Sequence, residues 1–333
     1  MRAALVICLL LATGVHAGAS AQKTPYGKRP EVRAFVRDLV ARHGFVEREL
    51  AYLFSRARRD PAVLRAIAAP KDTRARSWQE YRTRFMSEAR VAEGLEFWRR
   101  EARALERAAR EHGVPEEIVV AIIGIETVYG RHMGAHRVID ALATLAFDYP
   151  ARAGFFRAEL EQYLLYARDA GIDVFSVKGS YAGAIGIPQF MPGSYRRFAV
   201  DYDGDGAIDL RASAADAIGS VANFLAGHGW RRGEPIALPA HVNGTAHKAM
   251  LEAGIEPKFR LQDLKQHGVE TRTGLALETP VALIDLETPG AATEYRLGLR
   301  NFYVLTRYNR SSFYAAAVTD LAAALRARRA AGT

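Results

Sequence analysis

One glutamate, Glu126, interrupts a run of isoleucines and valines in the stretch VVAIIGIETVYG, residues 119–130. Residues three and four positions apart share one face of a helix, so Glu126 falls on the same apolar stripe as Ile118, Ile122 and Tyr129. A carboxylate among apolar side chains is costly to ionise, which predicts a raised pKa for this group. A carboxylic acid that keeps its proton near neutral pH can serve as the general acid for a glycosidic oxygen.

The start of this segment supports a helix but leaves the state of its glutamate open. Pro115 suits the first turn of a helix, and Glu116 and Glu117 follow it near the positive end of the helix dipole. On the helix alone, Glu126 can equally be the ion-pair partner of a nearby arginine such as Arg131. The pattern therefore offers two interpretations, a protonated acid and a salt bridge.

A second group of residues that could do chemistry is the loop DYDGDGAIDL at 201–210. Aspartates at the first, third and fifth positions, with a glycine at the sixth, are typical of an EF-hand calcium loop. The usual glutamate at the twelfth position is replaced by Ala212, so a later aspartate must close the shell. The predicted oxygen ligands are Asp201, Asp203, Asp205, Ala207 through its carbonyl, and Asp216, with Asp209 as a further candidate. The alternative is an Asp-Gly turn held by side-chain caps.

The composition is that of a globular protein with a basic surface. Nearly half of the 333 residues are hydrophobic, and the formal net charge is +9. A basic surface favours nucleic acid, anionic lipid or an acidic cell-wall polymer as partner, although solubility alone would also account for the charge. No nucleic-acid-binding motif accompanies the basic clusters. The single cysteine, Cys8, excludes an intrachain disulfide framework and a cysteine-based zinc site.

The first 21 residues have the layout of a secretory signal peptide. One arginine precedes a short apolar centre from Ala3 to Ala12, and small residues follow it. The apolar centre is too short for a membrane-spanning helix. We expect residues 1–21 to be removed on export, of the Gram-negative type, to the periplasm. The mature chain would then contain no cysteine, which suits an oxidising compartment.

Helical periodicity extends over most of the remaining chain, with one region of different character. Residues 22–80 are predicted to form an N-terminal helical region, and residues 81–230 a helical core that carries the aspartate-rich, metal-type loop at 201–216. Alternating β-forming residues predict a small β-rich subdomain at 231–307. An amphipathic helix at 308–333 is predicted to return to the core. The predicted fold class is mainly α (α+β).

Four blocks of the sequence, in this order, resemble the B-type lytic murein transglycosylases of bacteria. The blocks are IIGIETVYGRHMG, ALATLAFDYP, GSYAGAIGIPQFMP and TRYNRSSFYAAAV. The match extends from about Trp78 to Val318, and four blocks in order are far more specific than a lone G-I-E-T. The resemblance implies a lysozyme-like helical core with an additional helical region and a small inserted β-rich subdomain.

The resemblance also implies the reaction. Members of this family cleave the β-1,4 bond between N-acetylmuramic acid and N-acetylglucosamine in peptidoglycan and leave 1,6-anhydromuramic ends. Glu126 matches the single glutamate that acts as acid and then as base. The N-acetyl group of the substrate would replace a second carboxylate, as in substrate-assisted glycosidases. Asp140, Asp148 and Glu159 remain candidates for a second carboxylate.

The same blocks imply the residues that line the glycan cleft. Ser180 would orient the N-acetyl group and Gln189 would bind sugar, while tyrosines suit sugars because they combine an apolar ring face with a hydroxyl. The implied substrate-binding residues are Tyr81, Arg152, Ser180, Gln189, Tyr308, Asn309 and Tyr314. Core packing is the alternative for each tyrosine, and a tight structural loop is the alternative for the glycine-rich block.

Two positions depart from the family pattern. The YP block often carries two arginines, whereas this chain has Ala151 and Arg152, so a weaker contact to the stem peptide is expected. Phe224 stands where some relatives have tyrosine, so a hydroxyl is expected to be missing from the cleft.

Two other functions fit parts of the pattern. A peptidoglycan-binding or scaffolding protein would keep the cleft without turnover, and a hydrolytic lysozyme would add water to the cleaved bond. The expected partners are peptidoglycan glycan strands, and proteins of cell-wall synthesis or division are further candidates. No nucleic acid is expected as a partner, and the chain is expected to be a monomer. No cofactor is expected for the chemistry, and a structural calcium ion is expected at the aspartate-rich loop.

Overall fold

A computed structural model describes residues 24–68 and 77–332 of the chain. The predicted signal peptide at 1–21 therefore lies outside the described residues. Within them the chain divides into two units, with the boundary between Arg56 and Ala57. No helix in these two ranges combines the length and the apolar character needed to cross a bilayer.

The first unit is a pair of helices preceded by a single 3-10 turn at Tyr26–Lys28. Helix α1 is Pro30–His43 and helix α2 is Glu47–Arg56. Helix α1 ends at Gly44, whose left-handed φ of 66° a glycine adopts without strain. The buried apolar side chains that join these elements are Tyr26, Val32, Val36, Leu39, Leu50 and Phe54.

The second unit is mainly helical, and α7 lies at its centre. Nearly every residue of α7 up to Gly124 is buried, and the helix packs against α5, α6, α11 and α14. A helix that is apolar all round is expected in the middle of a bundle. The helices are α3 Pro61–Ala68, α4 Trp78–Thr83, α5 Glu88–Arg100, α6 Ala102–His112, α7 Glu116–Thr127, α8 Val138–Asp148, α9 Ala153–Asp169, α10 Pro192–Phe198, α11 Ala214–Gly227, α12 Lys248–Glu252, α13 Arg300–Tyr308 and α14 Ser312–Ala331.

The strands form two antiparallel sheets. Strands β1 (His136–Arg137) and β2 (Lys178–Gly179) pair with each other beside the helices. The larger sheet has the order β4-β6-β7-β3-β5, and its core pairs Leu283 with Leu297. Its strands are β3 Ala237–Val242, β4 Phe259–Arg260, β5 Val269–Glu270, β6 Pro280–Leu286 and β7 Glu294–Gly298. The predicted fold class, mainly helical with a small β-rich part, is confirmed.

A cluster of polar contacts ties helix α4 and the larger sheet to α14. The backbone N–H of Trp78 donates to the Glu287 carbonyl at 2.6 Å, and its indole N–H donates to Glu294 at 3.0 Å. On α14, Asp320 accepts from Arg296 at 2.7 Å and from Arg82 at 2.6 Å. These contacts fix α4, which carries Tyr81, relative to the C-terminal helix.

Replacing Asp320 with alanine is expected to lower the free energy of unfolding by about 2 kcal/mol, because the charged Arg296 loses a partner while it stays mostly out of water. The Arg296 and Asp320 side chains are only 14% and 13% exposed. The change is measured as a lower midpoint of urea unfolding at an unchanged slope.

The matched control is Glu88→Ala, which removes the partner of Arg328 in a pair whose side chains are 62% and 86% exposed. We expect this change to cost less than about 0.5 kcal/mol because water screens such a pair. Equal losses from the two variants would contradict a structural role for Asp320.

Candidate active site

Glu126 lies in the last turn of α7 and receives a hydrogen bond from another part of the chain. The hydroxyl of Tyr314 donates to Glu126 Oε1 at 2.7 Å. Burial raises the pKa of Glu126 to about 7, and the bond from Tyr314 offsets part of this rise because it favours the carboxylate. The alternative partner, Arg131, instead pairs with Glu93 of α5. The structure therefore agrees with a raised pKa for Glu126, and Arg131 is not its ion-pair partner.

The backbone turns sharply just after Glu126. Helix α7 ends at Thr127, and the next two residues, Val128 and Tyr129, have left-handed φ values of 53° and 59°. Such angles are unusual outside glycine, and a β-branched residue such as valine is strained there. Because the helix ends at Thr127, Tyr129 leaves the stripe on which the periodicity placed it with Glu126.

Two tyrosines from the C-terminal part of the chain face the Glu126 carboxyl group. Tyr308 ends α13 and Tyr314 lies in the first turn of α14, and their rings stack with centroids 6.3 Å apart. The Tyr308 hydroxyl donates to the Pro188 carbonyl at 2.6 Å. Burial raises the pKa of both phenols well above the usual value, and the nearby Glu126 charge adds to the rise. Both hydroxyls therefore stay protonated hydrogen-bond donors at neutral pH.

Tyr81 approaches the same group from helix α4. Burial raises the pKa of its phenol to about 12, and the charge of Glu126 contributes. Its half-buried ring contacts three aromatic rings, those of Trp78, Phe85 and Phe313. Tyr81 is thus both a packed residue and a neighbour of the acid, which unites the two interpretations left open by the sequence.

The glycine-rich segment 179–190 lies beside the end of α7. Gln189 has a left-handed φ of 52°, and its amide N–H₂ donates to the carbonyls of Gly186 at 2.8 Å and Met133 at 3.2 Å. Ser180 Oγ accepts the backbone N–H of Ala184 at 3.0 Å. Both side chains therefore hold the loop in shape, in accord with the structural interpretation. Their remaining hydrogen-bonding groups can be shared with a ligand.

Arg152 and Asn309 lie in more exposed positions. Arg152, in a 3-10 turn at Pro150–Arg152, stacks its guanidinium over the Phe155 ring at 4.5 Å. Asn309 is the exposed residue that follows α13. Within the described ranges neither side chain forms a hydrogen bond to Glu126, whereas Tyr314 does.

Phe224, where a cleft hydroxyl was expected to be missing, is buried on α11. Its ring contacts Tyr308 at 4.9 Å and Phe190 at 5.5 Å between centroids. Phenylalanine therefore supports the Tyr308 ring from behind by apolar packing.

The three candidates for a second carboxylate are each engaged in the scaffold. Glu159 accepts the backbone N–H of Gly193 at 2.8 Å, and burial raises its pKa. Asp140 accepts from Arg137 and from the backbone of Arg58, and Asp148 pairs with Arg59. These contacts describe structural carboxylates, not a partner for Glu126.

No role was predicted from the sequence for Thr127. Its buried hydroxyl donates to the Ile187 carbonyl at 2.8 Å and accepts the Gly130 N–H at 3.0 Å. This single side chain ties the end of α7 to the glycine-rich segment. Its place directly after Glu126 was the available signal.

The aspartate-rich loop gathers three of its predicted ligands. The carboxylates of Asp201, Asp203 and Asp205 are exposed, and each offers an oxygen within 4.8 Å of the others. Several of their oxygens accept backbone N–H groups of the loop, for example that of Gly206 on Asp201 at 2.9 Å. Clustered carboxylates in a tight loop are the donor set that calcium prefers, so these residues fit the ion.

Asp216 contacts the same loop but is not one of the three clustered carboxylates. It is buried, and its two oxygens accept the backbone N–H groups of Tyr202 at 2.7 Å and Asp209 at 2.8 Å. Asp216 thus anchors the loop to α11, and for Ala207 the structure shows only its N–H donating to Asp205 at 2.8 Å.

Taken together, the geometry suits acid–base chemistry on a polar substrate. A carboxyl group with a pKa of about 7 can give up a proton and take one back near neutral pH. The phenol groups around it supply hydrogen bonds and flat apolar faces, the combination that binds sugar rings.

Comparison with known proteins identifies the family. The family model described as Transglycosylase SLT domain matches residues 27–323. The membrane-bound lytic murein transglycosylase B of Escherichia coli is 41% identical over 308 residues, which cover 90% of this chain and 84% of that protein. The crystal structure of the lytic transglycosylase SltB1 from Pseudomonas aeruginosa matches with a TM-score of 0.86 and 45% identity, over 91% of this chain and 99% of that chain.

Two further solved structures carry ligands. Slt35 of Escherichia coli, solved in complex with calcium, matches with a TM-score of 0.80 and 40% identity, over 91% of this chain and 95% of that chain. SltB3 of Pseudomonas aeruginosa, solved with NAG-anhNAM-pentapeptide, matches with a TM-score of 0.76 and 31% identity, over 89% of this chain and 79% of that chain. The chain therefore belongs to the SLT transglycosylase family of lytic murein transglycosylases.

Proposed function

We propose that this lytic murein transglycosylase cleaves the β-1,4 bond between N-acetylmuramic acid and N-acetylglucosamine with Glu126 as its single acid and base. The observation that carries the proposal is the position of Glu126. Its pKa is raised to about 7, and the neighbours that face it are the phenols of Tyr81, Tyr308 and Tyr314. Among the described residues no cation is one of the groups that shift its pKa, so a substantial fraction of the carboxyl group is protonated near neutral pH.

The proposed reaction has two proton transfers and consumes no water. Glu126 first donates its proton to the glycosidic oxygen, while the N-acetyl carbonyl of the muramic sugar attacks the anomeric carbon. The Glu126 carboxylate then takes the proton of the 6-hydroxyl, which closes onto the anomeric carbon and displaces the carbonyl oxygen. The products are the departing sugar and a 1,6-anhydromuramic end. A pKa near 7 supports both steps, because neither protonation state is strongly disfavoured.

We propose roles for the surrounding residues by the same reasoning. The Tyr314 hydroxyl steadies Glu126 in its charged state through the bond at 2.7 Å. Ser180 would orient the N-acetyl group, and Gln189 would bind sugar at the loop that the Tyr308 hydroxyl reaches through Pro188. The proposed substrate-binding residues are Tyr81, Arg152, Ser180, Gln189, Tyr308, Asn309 and Tyr314. The complex of SltB3 with NAG-anhNAM-pentapeptide supports a peptidoglycan substrate.

Export and domain arrangement are part of the same proposal. A signal peptide at 1–21 would deliver the enzyme to the periplasm, where its substrate lies, and the cell-wall role of its relatives supports this location. We also propose the functional division into an N-terminal helical region, 22–80, a catalytic core, 81–230, a β-rich subdomain, 231–307, and a returning helix, 308–333. The strands of the larger sheet, from Ala237 to Gly298, lie inside the proposed subdomain.

We further propose that the aspartate-rich loop binds a structural calcium ion. Asp201, Asp203 and Asp205 would supply carboxylate oxygens and Ala207 its carbonyl, and Asp216, which anchors the loop, would complete the shell. The ion would offset the mutual repulsion of three exposed carboxylates and tie the loop to α11. The calcium complex of Slt35 supports this proposal.

Glu126→Gln is expected to keep the fold and to lower cleavage of purified sacculi by about 10³-fold or more, because an amide cannot donate a proton to the leaving oxygen. Mass spectrometry of the released fragments is the measurement. Anhydro-ended fragments from the wild-type protein support the proposal. Products heavier by one water would indicate a lysozyme, and bound but intact sacculi would indicate a binding protein.

The matched control is Glu159→Gln, which changes another partly buried glutamate with a raised pKa. We expect this variant to cleave normally, because the amide oxygen can still accept the Gly193 N–H. Loss of activity in Glu159→Gln, or activity of Glu126→Gln within tenfold of the wild type, would contradict a single-carboxylate mechanism.

The turnover number is expected to fall as the pH rises through about 7, because the acid form of Glu126 is then lost. Tyr314→Phe removes the hydrogen bond that favours the carboxylate, so the pKa of Glu126 rises and the alkaline limb moves to higher pH. A pH–rate profile of both proteins is the measurement. Tyr195→Phe, which removes a hydroxyl bonded to the Ile208 carbonyl, serves as control and should leave the limb in place. A shift to lower pH in Tyr314→Phe would refute the assigned role of that hydroxyl.

Removal of calcium with a chelator is expected to lower the melting temperature by about 5 °C or more, since an ion that binds only the folded state stabilises it. Asp203→Asn should abolish the difference between chelated and calcium-loaded protein. Asp169→Asn, an exposed aspartate outside the loop, should retain it. A melting temperature that is the same with chelator and with calcium would remove the proposed ion site.

A further inference from the structure

Two reciprocal hydrogen bonds join helix α5 to the end of the helix that carries Glu126. The Tyr129 hydroxyl donates to the Arg90 carbonyl at 2.9 Å, and the Arg90 guanidinium donates to the Gly124 carbonyl. Gly124 precedes Glu126 by two residues and Tyr129 follows it by three. We call Arg90, Gly124 and Tyr129 the α5–α7 clasp.

The ring of Tyr129 fills a niche that only glycine leaves open. A Cβ atom added to Gly124 would lie 2.6 Å from the Tyr129 hydroxyl oxygen, and one added to Gly94 would also collide with it. The Tyr129 ring packs against Phe97, with centroids 5.6 Å apart. The niche therefore fits this ring closely from both helices.

The path of the backbone shows what the niche requires. The ring of Tyr129 lies against Gly124 of the preceding turn, so the chain has to reverse directly after Thr127. It does so through the left-handed residues Val128 and Tyr129. Strained angles of this kind persist only where the surroundings determine them, and the docked ring with its hydroxyl bond supplies that constraint.

We propose that Tyr129, through the α5–α7 clasp, is a positioning residue that holds the last turn of α7 and with it the carboxyl group of Glu126. The inference rests on the proposed role of Glu126 as acid and base. Tyr129 does not touch the reacting atoms, because its hydroxyl is committed to the Arg90 carbonyl on the side of α5. It acts through the backbone of the turn that the two residues share.

The charged and titratable groups around Glu126 and Tyr129 determine whether a pH profile can report the position of Glu126. Facing Glu126 are Tyr81 of α4, Tyr308 of α13 and Tyr314 of α14. The charged groups near Tyr129 are Arg90, Glu93 and Arg131. Tyr129→Phe changes none of these charges. A change in the pH profile of that variant therefore reports a change in the hydration or position of Glu126.

The test is Tyr129→Phe, which removes one oxygen and keeps the ring in its niche. We expect the turnover number on sacculi to fall about tenfold, because a small displacement of the acid costs most in the transition state. The KM should stay within twofold of the wild-type value. The alkaline limb of the pH–rate profile should move to lower pH, because a loosened turn admits water to Glu126.

The matched control is Tyr163→Phe, in which a buried hydroxyl loses its bond to the Val174 carbonyl, 2.7 Å away, outside the site. Both variants are compared well below their melting temperatures. The control should lose a similar amount of thermal stability with an unchanged turnover number and pH limb. If Tyr129→Phe behaves like this control, the inference is overturned.

Arg90→Met tests the other half of the clasp and covers the case in which Tyr129→Phe folds poorly. We expect it to lower the turnover number and to move the pH limb in the same direction. The effects of Arg90→Met and Tyr129→Phe should be less than additive in the double variant, because both open one clasp. Full additivity, or an unchanged pH limb in Arg90→Met, would contradict the inference.

The result for Glu126→Gln separates this inference from the proposed function. If Glu126→Gln is inactive while both clasp variants match the wild type, only the positioning role fails. If Glu126→Gln remains active, the proposed function fails and the positioning role fails with it.

Discussion

The arrangement of the site depends on one carboxyl group, that of Glu126, which is desolvated and receives one hydrogen bond. Desolvation of Glu126 raises its pKa to about 7, and the Tyr314 hydroxyl at 2.7 Å returns part of the lost stabilisation to the charged form. A full ion pair would hold the carboxylate charged, and an entirely apolar pocket would hold it protonated. The balance between these two limits suits the proposed role, in which Glu126 releases a proton and recovers it within one turnover.

That balance requires distant parts of the chain to meet at one point. Helix α7 brings Glu126, α13 and α14 bring the two stacked tyrosines, and α4 brings Tyr81. The contacts of Asp320 secure α4 and the sheet to α14, while Thr127 secures the glycine-rich segment to α7. The β-rich part therefore helps to fix the positions of the helices around Glu126.

Much of the architecture could be predicted because it follows from local patterns. The apolar run before Glu126 predicted a buried helix, and α7 occupies Glu116–Thr127 at the centre of the bundle. Alternating β-forming residues after 231 predicted the region in which the larger sheet forms, since strands of period two are visible without tertiary knowledge. Four ordered blocks indicated the family, and the family model over 27–323 confirms it.

The sequence by itself determined which residue type stands on which helix, that Glu126 lies on an apolar stripe, and that three aspartates alternate in one loop. Only the tertiary structure decided the partners. Glu126 bonds to Tyr314, which is 188 residues away in the sequence, and not to the nearby Arg131. The packing of α14 on α7 brings the two side chains together. Asp216 accepts backbone N–H groups of the aspartate-rich loop. The Tyr129 hydroxyl donates to Arg90 of α5, so Tyr129 does not lie on the apolar stripe with Glu126. Local spacing fixes faces of helices, whereas pairing depends on which faces the folded core brings together.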